Sequence, residues 1–229
     1  MSTYPSSSGA SSESGGRGPI FVAGATGATG RTLVRLADRK HIALVPHVRP
    51  GREHGYGSRA AVLELADGEA LSRAMSGCSA VLQLIGTMRK RFARGDTYET
   101  SDIATTQQLV DAARRAGVGH IVLLSSVGAG RPTGSYLQAK AKAEAIVRDS
   151  GLAYTILRPS SFVGEGHRPP PGLLAVTRLL GLDSVRPIAI EDLAAALLHV
   201  ALTGQPKSAI LEGKSLWAVV DAAQSLKSE

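Results

Sequence analysis

The sequence predicts an α/β fold: a doubly wound parallel sheet with helices on both faces and a short C-terminal elaboration. Two observations carry that expectation. From residue 19 onward, short apolar runs alternate with segments of helical period, a spacing that requires right-handed crossovers between parallel strands. The 229 residues suit one domain of this kind, and a hydrophobic content of 43% is that of a globular protein.

Residues 1–18 are mostly Ser and Gly and show no apolar period. They bury too little surface to offset ordering entropy and read as a disordered tail before a single domain at 19–229. The tail lacks the apolar centre of a secretory signal, and Glu13 with few arginines argues against a transit peptide. Ile20–Ala23 is a first strand, and Thr29–Arg39, apolar at Leu33, Val34 and Leu36, is a helix. Ile42–Val48 and Ala61–Leu65 are the next strands, followed by a helix at Glu69–Met75 and a fourth strand at Ala80–Ile85. A long helix, Tyr98–Ala116, stops at Gly117 before a fifth strand, Ile121–Leu124. Ser135–Arg148 is a helix and Tyr154–Leu157 a sixth strand. Beyond Pro159 the pattern weakens. A Pro-rich loop at His167–Gly172 precedes helices at Leu173–Leu180 and Glu191–Leu202, so 160–229 reads as a small substrate-side elaboration.

Composition narrows the function classes. No uncharged apolar run approaches the roughly 18–20 residues of a membrane span. A single cysteine, Cys78, makes neither an internal disulfide nor a cysteine metal cluster, which points to a reducing, cytoplasmic compartment and a buried, inert thiol. The six histidines show no metal-ligand spacing, so no metal is expected. A formal charge of +7 opens the question of a polyanionic partner. The dense basic run, Arg89-Lys90-Arg91 with Arg94, has only Phe92 for base stacking, so nucleic acid is not expected. The run is either a solvated loop or a feature that steers an anionic ligand.

Gly24-Ala25-Thr26-Gly27-Ala28-Thr29-Gly30 follows the first strand and opens the first helix. In this context Gly24 allows the tight turn, Gly27 lets backbone approach a pyrophosphate, and Gly30 lets helix pack on strand. Free N–H groups of the helix start, Ala28 among them, then face the phosphates, with Thr26 and Thr29 as hydroxyl donors. This is the Rossmann-type dinucleotide signature. An acidic residue after the second strand accepts from the 2′-hydroxyl of NAD, but here stands Val48-Arg49-Pro50-Gly51-Arg52. A guanidinium at Arg49 suits a 2′-phosphate, so NADP(H) is favoured over NAD(H); the alternative is an arginine pointing into solvent. After the third strand, Glu64 is placed to accept from an adenine amine and the Leu65 N–H to donate to the ring, while Asp67 is read as a helix cap.

Ser125-Ser126 ends the fifth strand, and Tyr136 and Lys140 lie four apart on one face of the next helix. An ammonium beside a phenol stabilises the phenolate, which suits proton exchange with a carbonyl or carbinol oxygen during hydride transfer. Lys140 also has the reach for the nicotinamide ribose. The alternative is a chance pair on a surface helix.

On these residues the chain resembles the short-chain dehydrogenase/reductase superfamily, in its atypical NAD(P)H-binding branch that includes the NmrA-like proteins. The likeness covers about residues 19–203 and rests on Gly24–Gly30, Ser125-Ser126, Tyr136-x-x-x-Lys140, Leu157-Arg158-Pro159-Ser160 and Ile188–Leu193. It implies that Pro159 and Ser160 lie by the nicotinamide and that Leu84–Thr87, with Ile85 and Gly86, line the cofactor cleft. Of the two serines, Ser126 is the expected catalytic hydroxyl and Ser125 a cofactor contact. Family enzymes often carry Asp where Glu64 stands, which weakens the adenine assignment. Many atypical members lack a working Ser-Tyr-Lys set and act as sensors or assembly factors; this chain keeps the set.

The expected function is therefore an NADP(H)-dependent oxidoreductase that transfers hydride between the cofactor and a carbonyl, quinone or similar small molecule. The alternative is a non-catalytic NAD(P)H-binding redox sensor or assembly factor with a protein partner, suggested by the short segment after residue 159. An epimerase or dehydratase requires a larger sugar-binding annex than the roughly 70 residues available there.

Overall fold

The computed structural model describes residues 18–86, 99–163 and 183–227. Residues 1–17 of the expected tail, Thr87 of the expected cofactor cleft, the basic run at 89–94, the loop at 167–172 and the helix at 173–180 lie outside the described residues. The strands are β1 (Ile20–Ala23), β2 (Leu44–Val48), β3 (Ala61–Val62), β4 (Ala80–Gln83), β5 (His120–Leu124), β6 (Ala153–Leu157), β7 (Phe162–Val163), β8 (Ile188–Ala189) and β9 (Ala209–Leu211). The helices are α1 (Ala28–Arg39), α2 (Gly68–Met75), α3 (Thr105–Ala116), α4 (Gly134–Arg148), α5 (Ile190–Thr203) and α6 (Lys214–Ala222).

Strand sequence dictates burial on both faces. In β1, Ile20 and Val22 join one apolar cluster while Phe21 and Ala23 join the other. Val122 and Leu124 of β5 divide from Ile121 and Leu123 in the same way. Near-continuous apolar runs are what a parallel sheet needs, because helices cover both of its sides. Leu33 and Val34 of α1, the almost wholly apolar α5, and Leu216 and Val220 of α6 cover the first face. Leu71 and Met75 of α2, Leu109 and Val110 of α3, and Ala143 and Val147 of α4 cover the second.

The result is a seven-stranded sheet in the order β3-β2-β1-β4-β5-β6-β9, parallel throughout, with β7 and β8 paired in a separate ribbon. Phe21 is in register with Val45 on one side and Val81 on the other. The chain runs outward from β1 to β3 and then returns to β4, so strand order reverses between β1 and β4. Crevices at the carboxyl ends of strands beside such a reversal are where this class of sheet binds ligands.

Several boundaries differ from expectation for local reasons. The second strand starts at Leu44 because the Ile42 N–H still caps α1 by donating to Ala37 O. The third shrinks to Ala61–Val62, and the fourth ends at Gln83, whose own side chain accepts from the Ile85 N–H. The long helix divides into a π-helical turn, Glu99–Ala104, and α3. As expected, Asp67 caps α2 through the Ala70 N–H, and Gly117 ends α3 in the left-handed region. Much of the segment from 160 onward belongs to the main body: β9 extends the sheet, and α5 packs against α1.

Candidate cofactor and active site

The loop between β1 and α1 is shaped by its glycines. Gly24 has φ +93°, and a Cβ there stands 3.0 Å from the Leu84 carbonyl carbon, so the turn lies directly against the chain leaving β4. At Gly30 a Cβ overlaps the Gly24 carbonyl oxygen and comes within 2.7 Å of Ala25 Cα, so no larger residue allows this helix–strand approach. Gly27 is the exposed N-cap of α1 and supplies no capping side chain. The first helical bond runs from Arg31 N to Gly27 O, so the amides of Ala28, Thr29 and Gly30 point out of the helix end. A tight glycine turn with the helix-start amides and the helix dipole aimed outward fits a dinucleotide pyrophosphate. Thr26 and Thr29 are half-buried on its rim.

Beside the cradle lies a cavity of about 300 Å³ lined by Thr26, Arg31, Arg35, Tyr56 and Arg59, among others. Its walls are fixed locally: Tyr56 Oη donates to Ala25 O at 2.7 Å, Arg31 Nη1 to Thr26 O at 2.5 Å, and Arg59 holds Asp38 with two bonds at 2.5 and 2.8 Å. Burial pushes the Tyr56 hydroxyl above its ordinary range, with neighbouring arginines pulling the other way, and Arg59 holds the Asp38 carboxyl below its ordinary value. Arg49 is exposed at the end of β2, in a turn closed by Arg52 N to Arg49 O at 3.2 Å. Glu64 is exposed and Leu65 half-buried beyond β3. Sequence reading passed over Arg31 and Tyr56; the signal for Arg31 was its place directly after the third loop glycine.

The second half of the site stands at the ends of β4 and β5. Lys140, in the middle of α4, is only 5% exposed. Its Nζ pairs with Asp102 at 2.7 Å and donates to Leu124 O at 3.4 Å. Tyr136 is 37% exposed, with the Lys140 ammonium 6.0 Å from its ring centroid. A Cβ at Gly86 falls 3.0 Å from Lys140 Nζ, so the end of β4, the end of β5 and the Tyr136/Lys140 face of α4 meet at one point. The Leu137 side chain packs under Gly128 and ties the first turn of α4 to the loop that carries Ser126.

The two serines have different surroundings. Ser125 is 3% exposed, and its hydroxyl donates to Glu144 Oε1 at 2.5 Å. Its expected role as a cofactor contact therefore lacks an available hydroxyl. Glu144 in turn grips Arg158 through Nε at 2.9 Å and Nη2 at 2.6 Å, and Arg158 Nη1 reaches Glu212 at 3.1 Å. Ser126 is half-buried, with a weaker bond of 3.3 Å to Val127 O. Pro159 is buried, and its carbonyl accepts from Val127 N. The Ser160 hydroxyl donates to Arg186 O at 2.5 Å. Lys140 and Glu144 invite pairing as i, i+4 neighbours, yet each takes a partner from another element. Asp102 and Glu144 were legible only as acids on the buried stripes of their helices.

Among the described residues, no group of three or more His, Cys, Asp or Glu is placed to hold a metal, and no helix is long and apolar enough to cross a membrane. Cys78 is buried, which pushes its thiol up to about 11.

A family profile described as NAD(P)H-binding matches residues 24–203. A (4-alkanoyl-5-oxo-2,5-dihydrofuran-3-yl)methyl phosphate reductase from Streptomyces griseus is 32% identical over 81% of this chain and 63% of its own. A ceramide reductase from Caulobacter vibrioides is 28% identical over 80% of this chain and 58% of its own. The chain thus spans less than two thirds of the length of either relative. Among solved structures, MoeE5 in complex with UDP-glucose and NAD superposes with a TM-score of 0.67, at 23% identity over 91% of this chain and 82% of that one. The NADPH-dependent quinone oxidoreductase QOR2 from Escherichia coli gives 0.62, at 19% identity over 84% and 68%. Cradle, strand order and profile agree: the chain belongs to the NAD(P)H-binding family, with a Rossmann-like parallel sheet.

Proposed function

We propose that this protein is an NADP(H)-dependent oxidoreductase acting on a carbonyl, quinone or similar small acceptor. The observation that carries the reading is the chain leaving β4, whose Leu84 lies against Gly24 of the cradle and whose Gly86 lies against the buried Lys140 ammonium, itself 6.0 Å from the ring centroid of exposed Tyr136. The names of the Streptomyces and Caulobacter relatives support reductase chemistry, and QOR2 supports NADPH with a quinone.

When bound, the nicotinamide supplies or accepts hydride. The remaining work falls to the chain. The amides of Ala28, Thr29 and Gly30, with Thr26, hold the pyrophosphate. Arg49, exposed at the end of β2, meets a 2′-phosphate, and Glu64 and Leu65 flank the adenine. Ile85, Gly86, Pro159 and Ser160 wall the nicotinamide end, where Lys140 holds the ribose. Tyr136 gives its phenolic proton to the acceptor oxygen as that carbon gains hydride, and the Ser126 hydroxyl orients the oxygen.

The test is NADPH consumption against a panel of quinones, aldehydes, ketones and flavins, with Tyr136→Phe in parallel. We expect turnover of at least one carbonyl acceptor and a loss of about 100-fold or more in the variant. Quinone or flavin turnover is expected to survive Tyr136→Phe, because those acceptors do not need a tyrosine acid. Equal carbonyl turnover by both proteins removes the role given to Tyr136. No consumption with any acceptor overturns the oxidoreductase reading.

A further inference from the structure

Along the sheet, the glycine cradle follows β1, Lys140 lies at the ends of β4 and β5, and β6 and β9 complete the row. At the carboxyl ends of β5, β6 and β9 lies a cavity of about 300 Å³ lined by Gly128, Gly130, Arg131, Arg158 and Glu212. Arg158 directly follows β6 and Glu212 directly follows β9, and the Arg158 N–H donates to Leu211 O at 2.8 Å. The other three belong to the loop that carries Ser126, with Gly128 within about 7 Å of it along the backbone. The carboxyl ends of parallel strands are the ligand-binding edge of such a sheet, so the cavity stands where the far end of a substrate lies. The Arg158 guanidinium, 12% exposed, holds Glu144 through Nε and Nη2 and Glu212 through Nη1. Those bonds use three of its five N–H groups. A Cβ at Gly130 stands 2.7 Å from Nη1, so the missing side chain keeps that edge of the guanidinium uncovered. Arg131 is exposed and pairs with no carboxylate among the described residues.

We infer that this cavity is a subsite for a carboxylate at the far end of the acceptor. Arg131 pairs with the carboxylate, and the two remaining Arg158 N–H groups donate to it. Glu212 limits the charge that the subsite takes. The charges of Glu144, Arg158, Glu212 and Arg131 sum to zero, so the cavity offers donors to one oxyanion but no surplus for a doubly charged phosphate, which meets the Glu212 carboxylate. The acceptor class is thereby a carbonyl compound that carries one carboxylate some bonds from the reducible carbon. This inference rests on the proposed reduction beside Tyr136 and Ser126.

Calorimetric titration of the full chain, saturated with NADP+ so that no reduction occurs, tests it with three probes. They are 4-formylbenzoate, its methyl ester and 4-formylphenyl phosphate. We expect the acid to bind about tenfold more tightly than the ester, and the phosphate no more tightly than the ester. Arg131→Gln is expected to bring the acid to the affinity of the ester. Gly130→Ala is expected to do the same by a different route, because its methyl meets the Arg158 guanidinium first. Glu212→Gln is expected to tighten the phosphate about tenfold. Equal or undetectable affinity of the wild type for acid and ester overturns the inference, as does a preference for the acid that both Arg131→Gln and Gly130→Ala leave intact. Wild-type binding of the phosphate as tightly as the acid overturns the limit assigned to Glu212. Turnover of the same aldehydes with NADPH separates this inference from the reading beneath it. Preferred binding of the acid with no turnover of any aldehyde or of any other acceptor overturns the oxidoreductase reading and leaves the carboxylate subsite. Turnover without a preference for the acid overturns the subsite alone.

Discussion

Gly30 shows how much of the site a single residue decides. Its absent side chain lets α1 start against β1, and a valine there collides with Gly24 O and Ala25 Cα. Gly30→Val is expected to abolish dinucleotide binding in a titration followed by nicotinamide fluorescence; retained binding contradicts the cradle. The proposed counterpart at the adenosine end is Arg49. Arg49→Gln is expected to weaken NADPH by about tenfold while leaving NADH unchanged, the loss of one charge-assisted contact. The glycines of the cradle were legible because motif spacing encodes them. Asp102 was not, since its ion-pair partner Lys140 lies 38 positions later and is brought to it only by the β4–α3–β5–α4 path. The serine pair was half legible. Its position at the strand end showed, but the sequence did not reveal that Ser125 bonds to Glu144 while Ser126 stays near the opening.

Among elements, α4 is the most informative, because it carries both Lys140 and Glu144. Glu144, Arg158 and Glu212 clamp α4 to the ends of β6 and β9. Breaking a buried pair from one side leaves an uncompensated charge. Glu144→Gln is therefore expected to cost about 3 kcal/mol in urea unfolding, and a Glu144→Met/Arg158→Met double variant less than the sum of its single changes. Additive losses would show that the two side chains act separately. Elements with long periodic runs were readable from sequence, α1 and α3 among them. β9 was not, because Ala209–Leu211 spans three residues and acquires meaning only by pairing with β6 at Ile156↔Ile210. Likewise α5 reads as an ordinary helix, and its burial follows from being covered by α1 and α6.

For the whole molecule, acid sensitivity follows from buried imidazoles. Thr155 Oγ1 donates to Pro206 O, so it accepts from His120 Nε2 at 3.0 Å, while His120 Nδ1 is buried with no hydrogen-bond partner among the described residues. Burial first, then the Lys207 charge, lowers the His120 pKa to about 4 from an ordinary 6.5. The unfolded chain takes up this proton at higher pH than the fold does, so stability is complete above about pH 6.5 and falls as pH drops toward 4. The loss is about 3 kcal/mol from this group, and burial of His47 adds to it in the same direction. Urea midpoints from pH 4 to 7 should show the decline, and His120→Gln should flatten it; an unchanged slope contradicts the assignment.

At this scale the +7 charge also finds a place. Arg31, Arg35 and Arg59 line the cavity beside Thr26 together with Asp38 and Glu53, Arg49 stands exposed after β2, and Lys140 is neutralised by Asp102. The central claim is that this chain binds a dinucleotide there and distinguishes its 2′-phosphate. Parallel titrations of the full chain with NADPH and NADH at fixed ionic strength test it most directly. The account predicts saturable binding of both, with NADPH tighter by about tenfold or more. Equal affinities contradict the role of Arg49, and binding of neither contradicts the account itself.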